Sequence, residues 1–366
     1  MSDAKVDKMA ELLADTVPMA SPEQAAEGAA VEHLRGLGLR TVGEARWLDA
    51  NNEAPPLRVL LTVEGDDGRE VAFMPAGKVA MIAAPGGTGK SQALVQLAVA
   101  VASGKPWLDT YRAVKPGAVL LALGEEDGDE MHRRIRGAVR AGGWEHTAEG
   151  VAQNLHALSL CGVKAGFIGE DGEETDFYKS FHAGLNAWGV EWSLIILDPA
   201  SRFLGPDAEK DNAQATRFIE CLERLTQLPG RPTVLFAHHT NKEGLAGDTD
   251  QGAARGSSGL TDGARWQANL DRVYEEPTAE QKAAKKKLGT LIPDEVILRM
   301  VKANHCRLAP ALTLKKRDGG FLSPLQDAEA RPRKAGEVSK PAKGKQSGTA
   351  PKPSGRERAA GGGYDY

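Results

Sequence analysis

The chain has 366 residues, 41% hydrophobic and 26% charged, which suffices for one large α/β domain with extensions or for two domains. No uninterrupted apolar stretch approaches the roughly 20 residues of a membrane span, and Met1-Ser2-Asp3-Ala4-Lys5 leads into no signal-like apolar segment, so a cytoplasmic protein without a membrane partner is expected. The formal net charge of -4 conceals an asymmetry, because residues 331–366 hold nine Lys/Arg against three acids, a local +6 that leaves -10 on the remainder.

In chain order, residues 1–45 read as a partly helical extension. Val6, Met9, Leu12 and Leu13 recur at helical spacing, and an Ala-rich run follows Ser21-Pro22-Glu23. From Trp47 to Pro75 the sequence reads as an irregular apolar approach. Lys78 to Ala83 then forms an apolar run of the buried-strand type, and Ala84-Pro85-Gly86-Gly87-Thr88-Gly89-Lys90-Ser91 follows it directly. This octet fits G-x-x-x-x-G-K-[ST] except that Ala84 stands in the first glycine's place. Ser91 to Ala100 contains no Gly or Pro and reads as a helix whose first turn aims free N–H groups at a phosphate. The glycines let the backbone wrap the phosphates, Lys90 is a point charge for their oxygens, and the Ser91 hydroxyl is a Mg²⁺ ligand. The expected ATP contacts run through Pro85, Gly86, Gly87, Thr88, Gly89, Lys90, Ser91 and Gln92.

Beyond the loop, strands and helices alternate. Strands are expected at 119–123, 155–160, 194–198 and 233–237, with helices at 129–141, 175–188 and 211–228 between them. Continuous apolar strands in such alternation predict a parallel sheet covered on both faces. After Ala264 the pattern turns to strands at 296–301, 312–316 and 321–322 with a hairpin signal at Asp318-Gly319-Gly320, so the sheet is expected to end antiparallel. Cys161, Cys221 and Cys306 form no Cys-x-x-Cys pair and read as buried free thiols in a reducing compartment.

Ligands of parallel sheets bind at the carboxyl ends of the strands. Asp198, ending one strand, reads as the acid that holds Mg²⁺ directly or through water, its bland alternative being a helix cap. Gly124-Glu125-Glu126-Asp127 ends another; one of its carboxylates can polarise the attacking water, or the run is a solvated turn. His238-His239-Thr240-Asn241-Lys242 ends a third, where a polar side chain can sense the γ-phosphate; a core histidine or a metal ligand is the alternative.

These motifs, taken with Leu197-Asp198-Pro199-Ala200-Ser201-Arg202-Phe203 and the block Arg255 to Gln267, resemble in their order the plasmid RepA-type hexameric replicative helicases. Val301-Lys302-Ala303-Asn304 and Asp318-Gly319-Gly320 are similar to that family's C-terminal strands, and the resemblance spans roughly residues 75–325. It implies a RecA-like P-loop fold, a six-membered ring of identical subunits on single-stranded DNA, ATP with Mg²⁺ between subunits, and a replication initiator or primase as further partner. It also implies roles: Glu125 as the catalytic glutamate, Asp198 as the Walker B aspartate, His239 as the γ-phosphate sensor and Arg265 as an arginine finger reaching a neighbour's nucleotide. The Gly-rich, polar segment from Asn241 to Arg255 reads as a DNA-facing loop, with Lys242, Arg255, Ser257 and Ser258 as phosphate contacts.

Two parts lie outside the family pattern. The front 45 residues have no match, and Glu275 to Leu288 reads as a charged helical insertion. The basic tail is poor in apolar residues and is expected to be disordered, either binding nucleic acid or merely solubilising the chain. The expected layout is an N-terminal extension at 1–45, an ATPase and helicase domain at 46–325, and a tail at 326–366. A DNA-dependent ATPase without unwinding activity shares every motif. A small-molecule kinase has no use for the block 255–267.

Overall fold

The computed structural model describes residues 22–205, 211–239, 258–275, 277–278 and 289–326. The apolar runs form a nine-stranded sheet among the described residues, in the order β12-β11-β10-β9-β3-β8-β7-β5-β6, where β3 is Val79–Ala84, β5 Ala118–Leu123, β6 Leu155–Ser159, β7 Trp192–Asp198, β8 Thr233–His239, β9 Trp266–Tyr274, β10 Leu291–Ala303, β11 Leu312–Lys316 and β12 Leu322–Pro324. From β6 to β9 every pairing is parallel, and from β9 to β12 every pairing is antiparallel. The sheet is thus mixed, with a parallel body and an antiparallel C-terminal edge, as the sequence pattern predicts.

Helices cover both faces, which explains why the central strands carry no polar alternation. On one face lie α2 (Lys90–Ser103), α3 (Gly128–Ala141) and α4 (Ala148–Asn154), sharing a core with Ile82, Leu121, Ile196 and Leu235. On the other lie α5 (Asp176–Ala187), α6 (Asn212–Leu225) and α7 (Ser258–Gly263), packed on Met81, Ile195, Leu197 and Phe236. Local chemistry sets several boundaries: the side chains of Asp127, Thr175 and Asp211 accept from the N–H groups of Glu130, Tyr178 and Ala213, capping α3, α5 and α6. Before the sheet, α1 spans Pro22–Gly36, where the Ala-rich run was expected to be helical.

Three expectations are corrected. Residues 47–75 are not all irregular, because β1 (Val59–Glu64) and β2 (Glu70–Pro75) form an antiparallel hairpin joined to β4 (Arg112–Ala113) as a small second sheet. Gly65-Asp66-Asp67-Gly68 is its turn, with Gly68 at φ 74° and its N–H donating to the Gly65 carbonyl. Strand β9 was not among the expected strands; it runs parallel to β3, and the expected antiparallel end of the sheet begins where β10 pairs with it. Cys161 is exposed rather than buried, for it follows β6 in a turn; Cys221 is buried and Cys306 is partly covered, its thiol donating to the Phe73 carbonyl at 3.3 Å.

The described elements lie in a unit that ends at Pro324. The expected helix around Val6 to Leu13, most of the 275–288 insertion and the 331–366 tail fall outside the described residues. Among the described residues no helix is long and apolar enough to cross a membrane.

Candidate nucleotide-binding site

Register places the site at one edge of the sheet. Ala84 at the end of β3 pairs with His239 at the end of β8, and Leu123 at the end of β5 pairs with Asp198 at the end of β7. The phosphate loop, the acidic run, Asp198 and His239 therefore emerge side by side, as strand-end chemistry requires.

The loop is shaped by its own backbone. Gly87 and Gly89 stand at φ 74° and 98°, a region costly for any residue with a Cβ, and the Thr88 hydroxyl donates to the Pro85 carbonyl at 2.8 Å to close the turn. Lys90, Gln92 and residues 93–102 of α2 are buried, so the helix that offers its N-terminus to a phosphate is fixed in the core. Lys90 is buried and forms an ion pair with Asp198, itself buried. The other Asp198 oxygen, Oδ2, is buried with no hydrogen-bond partner. An unpartnered carboxylate oxygen beside the glycine-rich loop fits a Mg²⁺ ion, which Ser91 and Asp198 would hold. Among the described residues no group of three or more His, Cys, Asp or Glu could hold a metal by itself, so such an ion would rely on phosphate and water for the rest of its shell.

A cavity of about 440 Å³ opens over the loop, lined by Pro85, Gly86, Gly87, Gly89, Lys90, Ser91 and Gln92, by Glu125, Glu126, Glu130 and Arg134, by His239, and by Lys316, Gly319 and Gly320. It unites Lys90 and Ser91, Glu125, and His239 from three separate segments. The two glutamates differ. Glu125 is 51% exposed and sees Arg202 at 3.8 Å, whereas Glu126 is 12% exposed and pairs with Arg134 at 2.8 Å. Burial holds the Glu126 carboxyl above its ordinary range, with Arg134 opposing and the negative charges of Asp198 and Glu125 adding to the rise. Glu126 is thus committed to Arg134, and Glu125 is the carboxylate open to a water molecule.

A larger groove, about 860 Å³, runs along residues 163–171 and 201–204 and contains none of the loop residues, so size alone does not locate the chemistry. Arg202 links the two, since its stem lies against Gly124, where an added Cβ would come within 2.6 Å of Arg202 Cγ.

Arg265 lies elsewhere. Its N–H donates to the carbonyl of Val79, the first residue of β3, and its side chain is 44% exposed with Glu223 at 3.9 Å. Since β3 rises about 3.3 Å per residue, the length of that strand, roughly 17 Å, separates Arg265 from the phosphate loop of its own chain. Lys242, Arg255 and Ser257 lie outside the described residues, and Ser258 is the first residue of α7.

Sequence reasoning missed the far wall of the cavity. Arg134, Glu130, Lys316, Gly319 and Gly320 were each part of a recognised segment, but only the packing of α3 and of the C-terminal hairpin around the loop brings them into the lining of the cavity.

Residues 44–245, more than half of the chain, match the family model described as AAA domain. The chain belongs to the AAA domain family. The matched residues include the glycine-rich loop described above. Two solved structures resemble it at low identity. One is an ATPase domain, 11% identical with a TM-score of 0.45, the match covering 68% of this chain and 85% of the other. The second is a DnaB-like replicative helicase solved for its interactions with primase, 12% identical with a TM-score of 0.44 over 68% of this chain. The chain spans 58% of the length of that helicase.

Proposed function

We propose that the chain is an ATP-driven DNA helicase of the plasmid RepA type, serving plasmid or phage replication as a six-membered ring on single-stranded DNA. The observation that carries the reading is the convergence of Lys90, Ser91, Glu125 and His239 on one cavity, with Asp198 bound to Lys90 behind it. Lys90 exchanges Asp198 for the β and γ oxygens, and Ser91 and Asp198 would hold a Mg²⁺ ion, which would supply neutralisation of the charge developing on the β and γ phosphates. Glu125 orients a water molecule and accepts its proton as the water oxygen attacks the γ-phosphorus and the bond to the β–γ bridging oxygen breaks. His239 reports whether the γ-phosphate is present.

The position of Arg265 supports a neighbour-directed role, because it is exposed at the edge opposite its own phosphate loop. Lys242, Arg255, Ser257 and Ser258 are assigned to the DNA backbone, which they would grip without reading sequence. The proposed layout keeps residues 46–325 as the ATPase and helicase domain between the extension at 1–45 and the tail at 326–366, with an initiator or primase as further partner.

ATP-dependent strand displacement on a forked duplex, with Lys90→Ala as control, tests the proposal. Displacement by the wild type alone is expected. ATPase activity stimulated by single-stranded DNA without displacement would reassign the chain as a non-unwinding DNA-dependent ATPase. Turnover indifferent to DNA at low salt would defeat both motor readings and leave the small-molecule kinase.

A further inference from the structure

The antiparallel edge of the sheet turns back over the phosphate loop and brings two cations with it. Lys316, the last residue of β11, donates from Nζ to the Gly87 carbonyl at 2.6 Å, and Arg272, near the end of β9, donates to the Gly86 carbonyl at 2.8 Å. Both side chains lie across the glycines themselves. A Cβ built on Gly89 would meet Lys316 Cε at 3.6 Å, and one built on Gly87 would meet an Arg272 terminal nitrogen at 3.6 Å. Lys316 also lines the cavity, together with Gly319 and Gly320 of the following turn.

The edge is held in this place. Gln96, buried in α2, donates to the Leu322 carbonyl at 2.8 Å and accepts from the Leu322 N–H at 2.9 Å, so the helix behind the loop and the strand after the hairpin share a reciprocal pair of bonds. The position of Lys316 is therefore set by the fold and not by the reach of a surface chain.

We propose that Lys316, with Arg272 behind it, is a second phosphate-binding cation supplied to the nucleotide by the same chain that carries the loop. This rests on the reading of the cavity as a triphosphate site and names a ligand-binding role that no sequence motif assigned. Two cations side by side over neutral carbonyls are a poor final arrangement. Burial, and then the charge of Arg272, pull the Lys316 ammonium below its ordinary range, with Asp294 opposing. A polyphosphate supplies the missing negative charge, and a short swing of the lysine stem from Gly87 brings Nζ onto its oxygens. Arg272, on a strand continuous with the sheet, holds the loop while Lys316 moves.

The experiment compares Mg²⁺-dependent binding of ATP, ADP and AMP to the full-length chain without DNA, for wild type, Lys316→Ala, Lys316→Met, Lys316→Arg and Arg272→Ala. Loss of a phosphate ligand scales with the phosphates present. Lys316→Ala and Lys316→Met are expected to weaken ATP binding by about tenfold or more, ADP less and AMP little, while Lys316→Arg restores most of the ATP affinity. Melting of the nucleotide-free variants should stay close to wild type. Equal losses for all three nucleotides together with a lowered melting temperature would make Lys316 a structural clamp and overturn the proposal, as would unchanged affinities in both Lys316→Ala and Lys316→Met. Failure of the parent reading is separate, because in that case the wild type itself does not bind ATP.

Discussion

Lys90 and Asp198 neutralise each other in the core, so a nucleotide enters by breaking an ion pair. Removal of one partner leaves the other buried and uncompensated, which costs about 3–5 kcal/mol where the pair is well enclosed. Lys90→Ala is therefore expected to abolish ATP turnover and to lower stability in the nucleotide-free state, read by thermal melting. Glu125→Gln should keep nucleotide binding and stop hydrolysis, and wild-type turnover in that variant would shift the role to Glu126. Glu126 has a folded-state pKa raised above its ordinary 4.5, so its contribution to stability is fully present below that value and declines as pH climbs through the raised one. Chemical denaturation of Glu126→Gln from pH 4 upward should show a flatter decline than the wild type. Lys90, Ser91, Asp198 and His239 were legible because each follows a local signal, a glycine loop or the end of an apolar run. The different commitments of Glu125 and Glu126 were not, since they depend on which carboxylate Arg134 reaches from one turn into α3.

At the level of elements, legibility follows burial. Strands β3 and β5 are apolar throughout and β7 and β8 through their centres, and the ends of all four were readable to within two residues. The β1–β2 hairpin was not, because its strands are half-exposed and their turn carries two aspartates that read as loop. Strand β9 was hidden for the opposite reason: Gln267 and Asn269 are fully buried, and the Gln267 amide donates to Asn269 at 3.0 Å, so polar residues stand where an apolar run would mark a strand. The Gln96 clasp is likewise a long-range event, joining residues 226 apart. Gln96→Leu leaves the Leu322 N–H and C=O buried without their partner, at a cost of about 1–3 kcal/mol for each group. A fall in unfolding free energy of at least about 2 kcal/mol is expected by denaturant titration, together with weaker ATP binding as the hairpin loosens from the loop.

For the molecule as a whole, β9 carries an arginine at each extreme: Arg272 touches the chain's own phosphate loop, and Arg265, just before the strand, stands exposed at the opposite edge. Arg265→Ala is expected to bind ATP and to assemble yet hydrolyse poorly, and mixing it with Lys90→Ala should recover part of the activity, since each variant retains what the other lacks. Absence of recovery in proven mixed assemblies would remove the neighbour-directed role. The sequence reading gave Arg265 its neighbour-directed role from the family resemblance and did not single out Arg272, whose partner is 186 residues away. The clasp between α2 and β12 also has a temporal side. The ribosome delivers the phosphate loop early and Leu322 more than two hundred residues later, so the helix behind the loop acquires its last two bonds only when synthesis has nearly passed the described chain. Stalled chains ended at Gly320 should hold ATP poorly, and chains ended at Gln326 should hold it as the full protein does. A nascent subunit would thus stay nucleotide-free until its sheet is complete.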